Sequence, residues 1–115
     1  MEQSSNFFAY KIRQSIYKVQ TKDIMCLESH RRKMILHMAD GRVQEFYGKI
    51  KDICQSNLMD YGFISIHKSY VVNFCYINKL KYLELTLANG TILPVSQKRY
   101  KDVKSRYLGL IDKAN

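Results

Sequence analysis

Three groups of side chains carry the residue types that could do chemistry. His67-Lys68-Ser69-Tyr70 follows the apolar run Phe63-Ile64-Ser65-Ile66 and precedes Val71-Val72-Asn73, so a polar step interrupts a strand-like stretch. His30-Arg31-Arg32-Lys33 is a basic tetrad, and Lys98, Arg99 and Lys101 crowd a third segment. Imidazole, ammonium and hydroxyl groups together suit two tasks, proton transfer or the holding of an anion. Proton-transfer catalysis would ask His30 and His67 to act as acid and base, with Lys68 on the developing charge. No carboxylate cluster, glycine-rich phosphate loop or activated nucleophile accompanies them, so no catalytic residue is assigned. Anion binding is the better use.

Charge favours the same conclusion. The chain has 115 residues with 19 Lys+Arg against 10 Asp+Glu, a formal net charge of +9. An excess of this size steers polyanions towards a protein without defining its fold. The basic residues are not a disordered tail, because 46% of the chain is apolar and 12% aromatic, enough for one folded domain over residues 1–115 with its core at about 7–111. No run approaches the roughly 20 apolar residues that cross a bilayer, and the polar start Met1-Glu2-Gln3-Ser4-Ser5-Asn6 lacks a secretion signal. A cytoplasmic protein without membrane attachment is expected.

Cys26, Cys54 and Cys75 are odd in number and far apart, which suits neither a disulfide framework nor a zinc site. Reduced core cysteines are expected. His30, His37 and His67 have no metal-ligand spacing, so neither a metal nor a cofactor is expected.

The elements that must position the three groups are mostly strands. Phe7–Ile12, Ile16–Val19, Ile24–Glu28 and Lys33–Met38 are rich in Ile, Val, Tyr and Phe between polar breaks. Asp40-Gly41 supplies a hairpin turn, with Arg42–Tyr47 as the returning arm. A second hairpin alternates Leu83, Leu85 and Leu87 with Glu84 and Thr86, turns at Asn89-Gly90 and returns through Thr91–Val95. Pro94 has no N–H for a ladder, which puts that return strand at a sheet edge. Ile50, Ile53, Cys54 and Leu58 predict a short helix from about Lys49 to Asn57. Tyr100, Val103, Tyr107, Leu110 and Ile111 mark one face of a helix from about Gln97 to Ile111, with Ser96 placed to cap it.

Lys98, Arg99 and Lys101 then fall at the start of a helix, where the backbone dipole already disfavours cations. A phosphate would gain from both the side chains and the unpaired N–H groups. The tetrad at His30–Lys33 becomes a turn between two strands. His67 reads as a half-buried histidine holding a turn by hydrogen bonds, with Lys68 the better contact and Ser69 offering a hydroxyl. Three basic clusters at strand ends predict a basic edge that a duplex backbone would engage. A single-stranded nucleic-acid or protein-interaction module is the alternative, because Tyr10, Tyr76 and Tyr82 could supply stacking surfaces if exposed.

Taken in order, Ile24-Met25-Cys26-Leu27-Glu28-Ser29, Asp40-Gly41, the run Phe63 to Asn73, Asn89-Gly90 and Leu93-Pro94-Val95-Ser96 resemble the LytTR family of bacterial DNA-binding domains. The likeness spans roughly Phe7 to Leu110, and its most specific parts are His-x-Ser-Tyr-Val-Val-Asn and Pro-Val-Ser. It implies a mainly β fold, an elongated β-sandwich of short antiparallel sheets with one short internal helix and a C-terminal helix. It also implies loops that enter the grooves of duplex DNA at promoter direct repeats, in response regulators where the domain usually follows a phosphorylatable receiver domain. This chain is therefore expected to be either an excised effector domain or a stand-alone family member. Members that are monomers in solution and pair on DNA fit this picture.

Carried over by position, the resemblance implies that His30 or Arg31 reads a major groove and that Lys68 lies towards the minor groove. It also puts Lys98 at the family's basic position after the Pro-Val-Ser serine. Arginine or asparagine is more usual at the position of Lys68, and arginine at that of Lys98. Lysine there is a point charge where arginine would present a planar fork to guanine, so a different base preference is expected. Arg32, Lys33, Ser69, Ser96, Arg99 and Lys101 are the candidates for phosphate contacts.

Overall fold

A computed structural model describes residues 6–114. Ten strands and two α-helices follow in the order β1 Phe7–Ile12, β2 Ser15–Gln20, β3 Ile24–His30, β4 Lys33–Met38, β5 Val43–Tyr47, α1 Ile50–Cys54, β6 Phe63–His67, β7 Tyr70–Asn73, β8 Ile77–Lys81, β9 Glu84–Leu87, β10 Ile92–Pro94 and α2 Gln97–Ala114. The strands form three antiparallel sheets: β1-β2, a central β5-β4-β3-β7-β6, and β10-β9-β8. This is the mainly β architecture of stacked short sheets that the sequence implied. Among the described residues no helix is long and apolar enough to cross a membrane.

The central sheet is sandwiched, and its strands show it. β3 begins with four buried residues in succession, Ile24 to Leu27. A strand covered on one face alternates, whereas one covered on both reads as continuously apolar. Ile24 and Leu27 belong to a core with Phe8, Tyr10, Met34, Leu36, Phe63 and Val71, on the side of the β1-β2 hairpin. Met25 and Cys26 belong to a second core with Ile64, Ile66, Val72, Leu85, Leu93 and Val103, beneath the β8-β10 sheet and α2. Each fully buried Leu or Ile contributes ~1.5–3 kcal/mol from desolvation, so two filled cores clamp the central sheet from both faces.

Asn73 explains why a motif residue is polar in so apolar a place. It is only 2% exposed, and its Nδ2 donates to the Ile24 carbonyl at 3.0 Å while its Oδ1 accepts from the Cys75 N–H at 3.0 Å. A buried amide with its donors and acceptor used stabilises; left unpaired, it would cost ~1–3 kcal/mol. Asn73 therefore latches β7 to the start of β3, where the ladder shifts register between Ile24 and Cys26.

Both expected hairpins are present, and β10 with Pro94 is an edge strand as expected. Val103, Tyr100, Tyr107 and Leu110 pack into the second core, so four of the five residues expected on the apolar face of α2 are there, and Ile111 is not among them. Two expectations need correction. The helix expected at Lys49–Asn57 is only Ile50–Cys54, and a 3-10 turn over Asn57–Tyr61 follows. Ser56 breaks it by turning its hydroxyl onto the backbone, donating to the Ile53 carbonyl at 2.6 Å and accepting from the Leu58 N–H at 3.3 Å. The cysteines are free; Cys26 is buried in the second core and Cys54 is half-buried against the first, but Cys75 is exposed and lies in neither. Burial pushes the Cys26 thiol up to about 12. Cys75 sits in a 3-10 turn with its side chain outside both cores.

Candidate nucleic-acid interface

Hydrogen bonds between neighbouring strand ends place the three basic clusters side by side. The His30–Lys33 turn closes β3 onto β4, with His30 opposite Lys33. Next to it, the Ser29 N–H donates to the Ser69 carbonyl at 2.8 Å, which fixes the β6-β7 turn of His67, Lys68 and Ser69 beside the tetrad. On the far side of β6, the Ser96 N–H donates to the Ile66 carbonyl at 2.9 Å and brings in the start of α2. The opposite flank is closed by the Gly48 N–H donating to the Arg32 carbonyl at 3.1 Å. One end of the five-stranded sheet is thus a row of turns, roughly 19 Å across at ~4.8 Å per strand. That exceeds the ~12 Å width of a major groove of duplex DNA.

Local sequence accounts for each turn. Ser69 N–H donates to His67 Nδ1 at 3.1 Å, so the imidazole accepts as a backbone carbonyl would and holds the reversal. His67 is half-buried and touches the ring of Tyr70 at 5.5 Å between centroids. Burial, with Lys68 and then Arg99 nearby, holds its pKa below the usual value. The structural role expected of His67 is therefore what the geometry shows. Arg31 occupies the first position of the two-residue β3-β4 turn with φ 62, a left-handed conformation that costs a side-chain-bearing residue ~1–2 kcal/mol.

Exposure differs among the candidates. His30, Arg31, Arg32, Lys33, Lys68, Lys98 and Lys101 are exposed, while Ser69, Ser96 and Arg99 are half-buried. Among the described residues Arg31, Arg32, Lys68, Lys98 and Lys101 have no acidic partner. Lys33 differs, because its Nζ lies 3.3 Å from Glu45 Oε1. An exposed pair of this kind is worth ~0–1 kcal/mol and yields readily to a phosphate. The Arg99 guanidinium reaches Ser96 Oγ at 3.4 Å, so these two act as one group at the helix start. The first turn of α2 contains no acidic residue to offset them.

Sequence reasoning missed the flank of the row formed by Tyr47, Gly48 and Lys49. Tyr47 ends β5 with 79% of its surface exposed, and Lys33 Nζ stands 5.9 Å from its ring centroid. Tyr47, Gly48 and Lys49 wall a shallow basin with Arg31 and Arg32. Tyr47 shares a face of β5 with Val43 and Glu45, and all three are exposed. Of the tyrosines in question, Tyr10 is buried, Tyr76 half-buried with its hydroxyl donating to the Lys22 carbonyl, and Tyr82 61% exposed. Tyr82 lies edge-on to Tyr100 at 5.1 Å, which leaves no continuous stacking platform among these three. No group of His, Cys, Asp or Glu among the described residues could hold a metal ion.

Fold and basic row together define a mainly β domain with one cationic end. The family model of the LytTr DNA-binding domain matches residues 14–107. The chain belongs to the LytTR family of DNA-binding domains. Among solved structures it is similar to one described as the LytTr DNA-binding domain of a methyl-accepting/DNA response regulator from Bacillus cereus. The TM-score is 0.72 at 22% identity, over 92% of this chain and 99% of that one. Comparison with curated proteins gives no match. DNA binding of the kind used in transcription regulation is thus the function of this family and of this chain.

Proposed function

We propose that this chain is the sequence-specific, duplex-DNA-binding effector module of a bacterial transcription regulator, and that its basic row of turns docks at direct-repeat promoter sites. His30, Arg31, Lys68 and Lys98 contact bases. Arg32, Lys33, Ser69, Ser96, Arg99 and Lys101 contact phosphates and set the register without reading sequence. The observation that supports this most is the convergence of three basic clusters, distant in sequence, on one end of the central sheet. Turns on a clamped sheet are rigid carriers for side chains that must fit a groove.

The module belongs, in this reading, to a cytoplasmic response regulator whose receiver domain lies elsewhere in a longer parent chain. It is a monomer in solution and pairs on DNA. No catalytic step is assigned to it. Selection from a pool of random duplexes, followed by salt titration on the winning site, tests the reading. Enrichment of a repeated motif is expected, together with a fall in log K against log[salt] of ~0.9 per neutralised phosphate. With about 6–10 phosphates engaged, affinity drops ~10³–10⁵-fold between 50 and 200 mM salt. No enrichment, or a preference for single strands in competition, would reject it. Lys98→Ala should cost ~1–3 kcal/mol at individual base pairs, and Lys101→Ala should weaken all sequences alike.

A further inference from the structure

The β1-β2 hairpin carries a second set of unpaired cations beside the row. Its tip, Arg13-Gln14, joins Ile12 to Ser15. Tyr10 of β1 stacks on Phe46 of β5 with centroids 5.2 Å apart, and Phe8 lies 6.1 Å from the same ring. These contacts fasten the hairpin to the edge strand that ends in Tyr47. Lys11, Ile12 and Arg13 face Lys33, Glu45, Phe46 and Tyr47 across a groove of about 430 Å³. Lys33 and Tyr47 also wall the basin that holds His30, Arg31 and Arg32, so the two surfaces are continuous.

Charge in the groove is unbalanced. Glu45 is engaged by Lys33 at 3.3 Å. Among the described residues Lys11 and Arg13 have no acidic partner. Arg13 has φ 57, nearly the φ 62 of Arg31, and each is the first residue of a two-residue turn. Glycine would hold that conformation without strain. A long cation kept in a strained turn, exposed and unpaired, twice on one surface, indicates a use for the guanidinium.

We propose that the β1-β2 hairpin is a second DNA-contacting element, in which Arg13 and Lys11 take phosphates of the duplex beside the stretch engaged by the β3-β4 turn. This rests on the duplex-binding reading above. The hairpin belongs to a separate sheet stacked on the central one, so its tip stands roughly one sheet-packing distance, ~10 Å, from the row. A duplex presents one charge per ~1.7 Å of axis, so phosphates are available at that offset. The element adds affinity without base preference, because phosphates are the same in every sequence.

The test compares the whole chain with its Lys11→Ala/Arg13→Gly double variant on the selected duplex and on random duplex. Removing two phosphate contacts should lower the salt slope by about 1.8 and weaken both duplexes by the same factor. Arg13→Gly also relieves the positive φ, so the thermal midpoint should not fall, which separates lost contact from lost fold. An unchanged slope, or a loss confined to the selected site, would overturn the proposal. Failure of the wild-type chain to bind duplex at all would overturn the duplex reading along with it, whereas normal wild-type binding with an unchanged variant slope would overturn only the hairpin's role.

Discussion

At the end of the central sheet away from the basic row, the chain reverses on Gly41 with φ 97 and enters β6 from Gly62 with φ 87. At the basic end the corresponding left-handed position belongs to Arg31, and at the neighbouring hairpin tip to Arg13. Gly41 is supported by Asp40, whose carboxylate accepts from the Arg42 N–H at 3.0 Å and the Arg42 Nε at 2.8 Å. The turn at Asn89-Gly90 in the β8-β10 sheet is built likewise, with Asn89 Oδ1 accepting from the Thr91 N–H at 3.0 Å. One end thus uses residues that fit their backbone, and the other retains side chains that do not. The contrast teaches that stability was not the only requirement at the basic end. Leu83, with φ 63 in the β8-β9 turn, is strained without any charge, and nothing in the structure accounts for it.

The largest expected effect lies at the structural end. A Cβ on Gly62 would stand 2.5 Å from Phe74 Cδ1, in a backbone conformation that already disfavours side chains. Gly62→Ala should therefore destabilise by about 2–4 kcal/mol through strain and overpacking. Urea unfolding measures the loss, and DNA affinity of the fraction that remains folded should be unchanged. A variant as stable as wild type would show that this end yields more easily than its geometry suggests.

Arg31 is expected to give the inverse result. Arg31→Gly should raise stability by up to about 1 kcal/mol as strain is relieved, while the base-reading role proposed for Arg31 would cost ~1–3 kcal/mol of discrimination at a base pair. Arg31→Ala should lose the same discrimination without the gain, because alanine keeps the strain. If both variants were less stable and bound DNA normally, the division between the two ends would collapse.

Much of this division was legible before the fold was known. Asp40-Gly41 and Asn89-Gly90 announce their turns because asparagine, aspartate and glycine suit positive φ. Arg31-Arg32 carries no such signal, and only the apolar runs on either side mark its turn. The three basic clusters could be named individually, but their adjacency depends on the order β5-β4-β3-β7-β6. In that order β7 lies beside β3, a pairing between residues about 45 apart that no local pattern encodes. β8 was missed because its sequence Ile77-Asn78-Lys79-Leu80-Lys81 is polar and its ladder slips between Ile77 and Lys79. Arg13, Tyr47 and Lys49 were missed because nothing local distinguishes a residue at a sheet corner from its neighbours.

The smallest effect is set by pH and compares two turns that share one hydrogen-bond pattern, a side-chain acceptor and the N–H two residues on. At the basic end that acceptor is His67 Nδ1, and at the other it is the Asp40 carboxylate. Burial, Lys68 and Arg99 hold the His67 pKa down in the folded chain. The folded state therefore binds this proton less well than the unfolded chain, and the contribution is complete above the unfolded value of ~6.5 and declines as the pH falls below it. The Arg42 N–H, followed by its guanidinium, holds Asp40 below its ordinary 3.8. That contribution is present above the ordinary carboxylate value and disappears only as the pH falls through the lower folded one. Acidification should weaken the basic end first. His67→Asn keeps an acceptor that does not titrate, so it should flatten the urea-midpoint profile below about pH 6.5 and leave the acid limb set by Asp40. Asp40→Asn should reduce the acid limb alone. Identical profiles for the two variants would mean that neither turn titrates as its hydrogen bonds require.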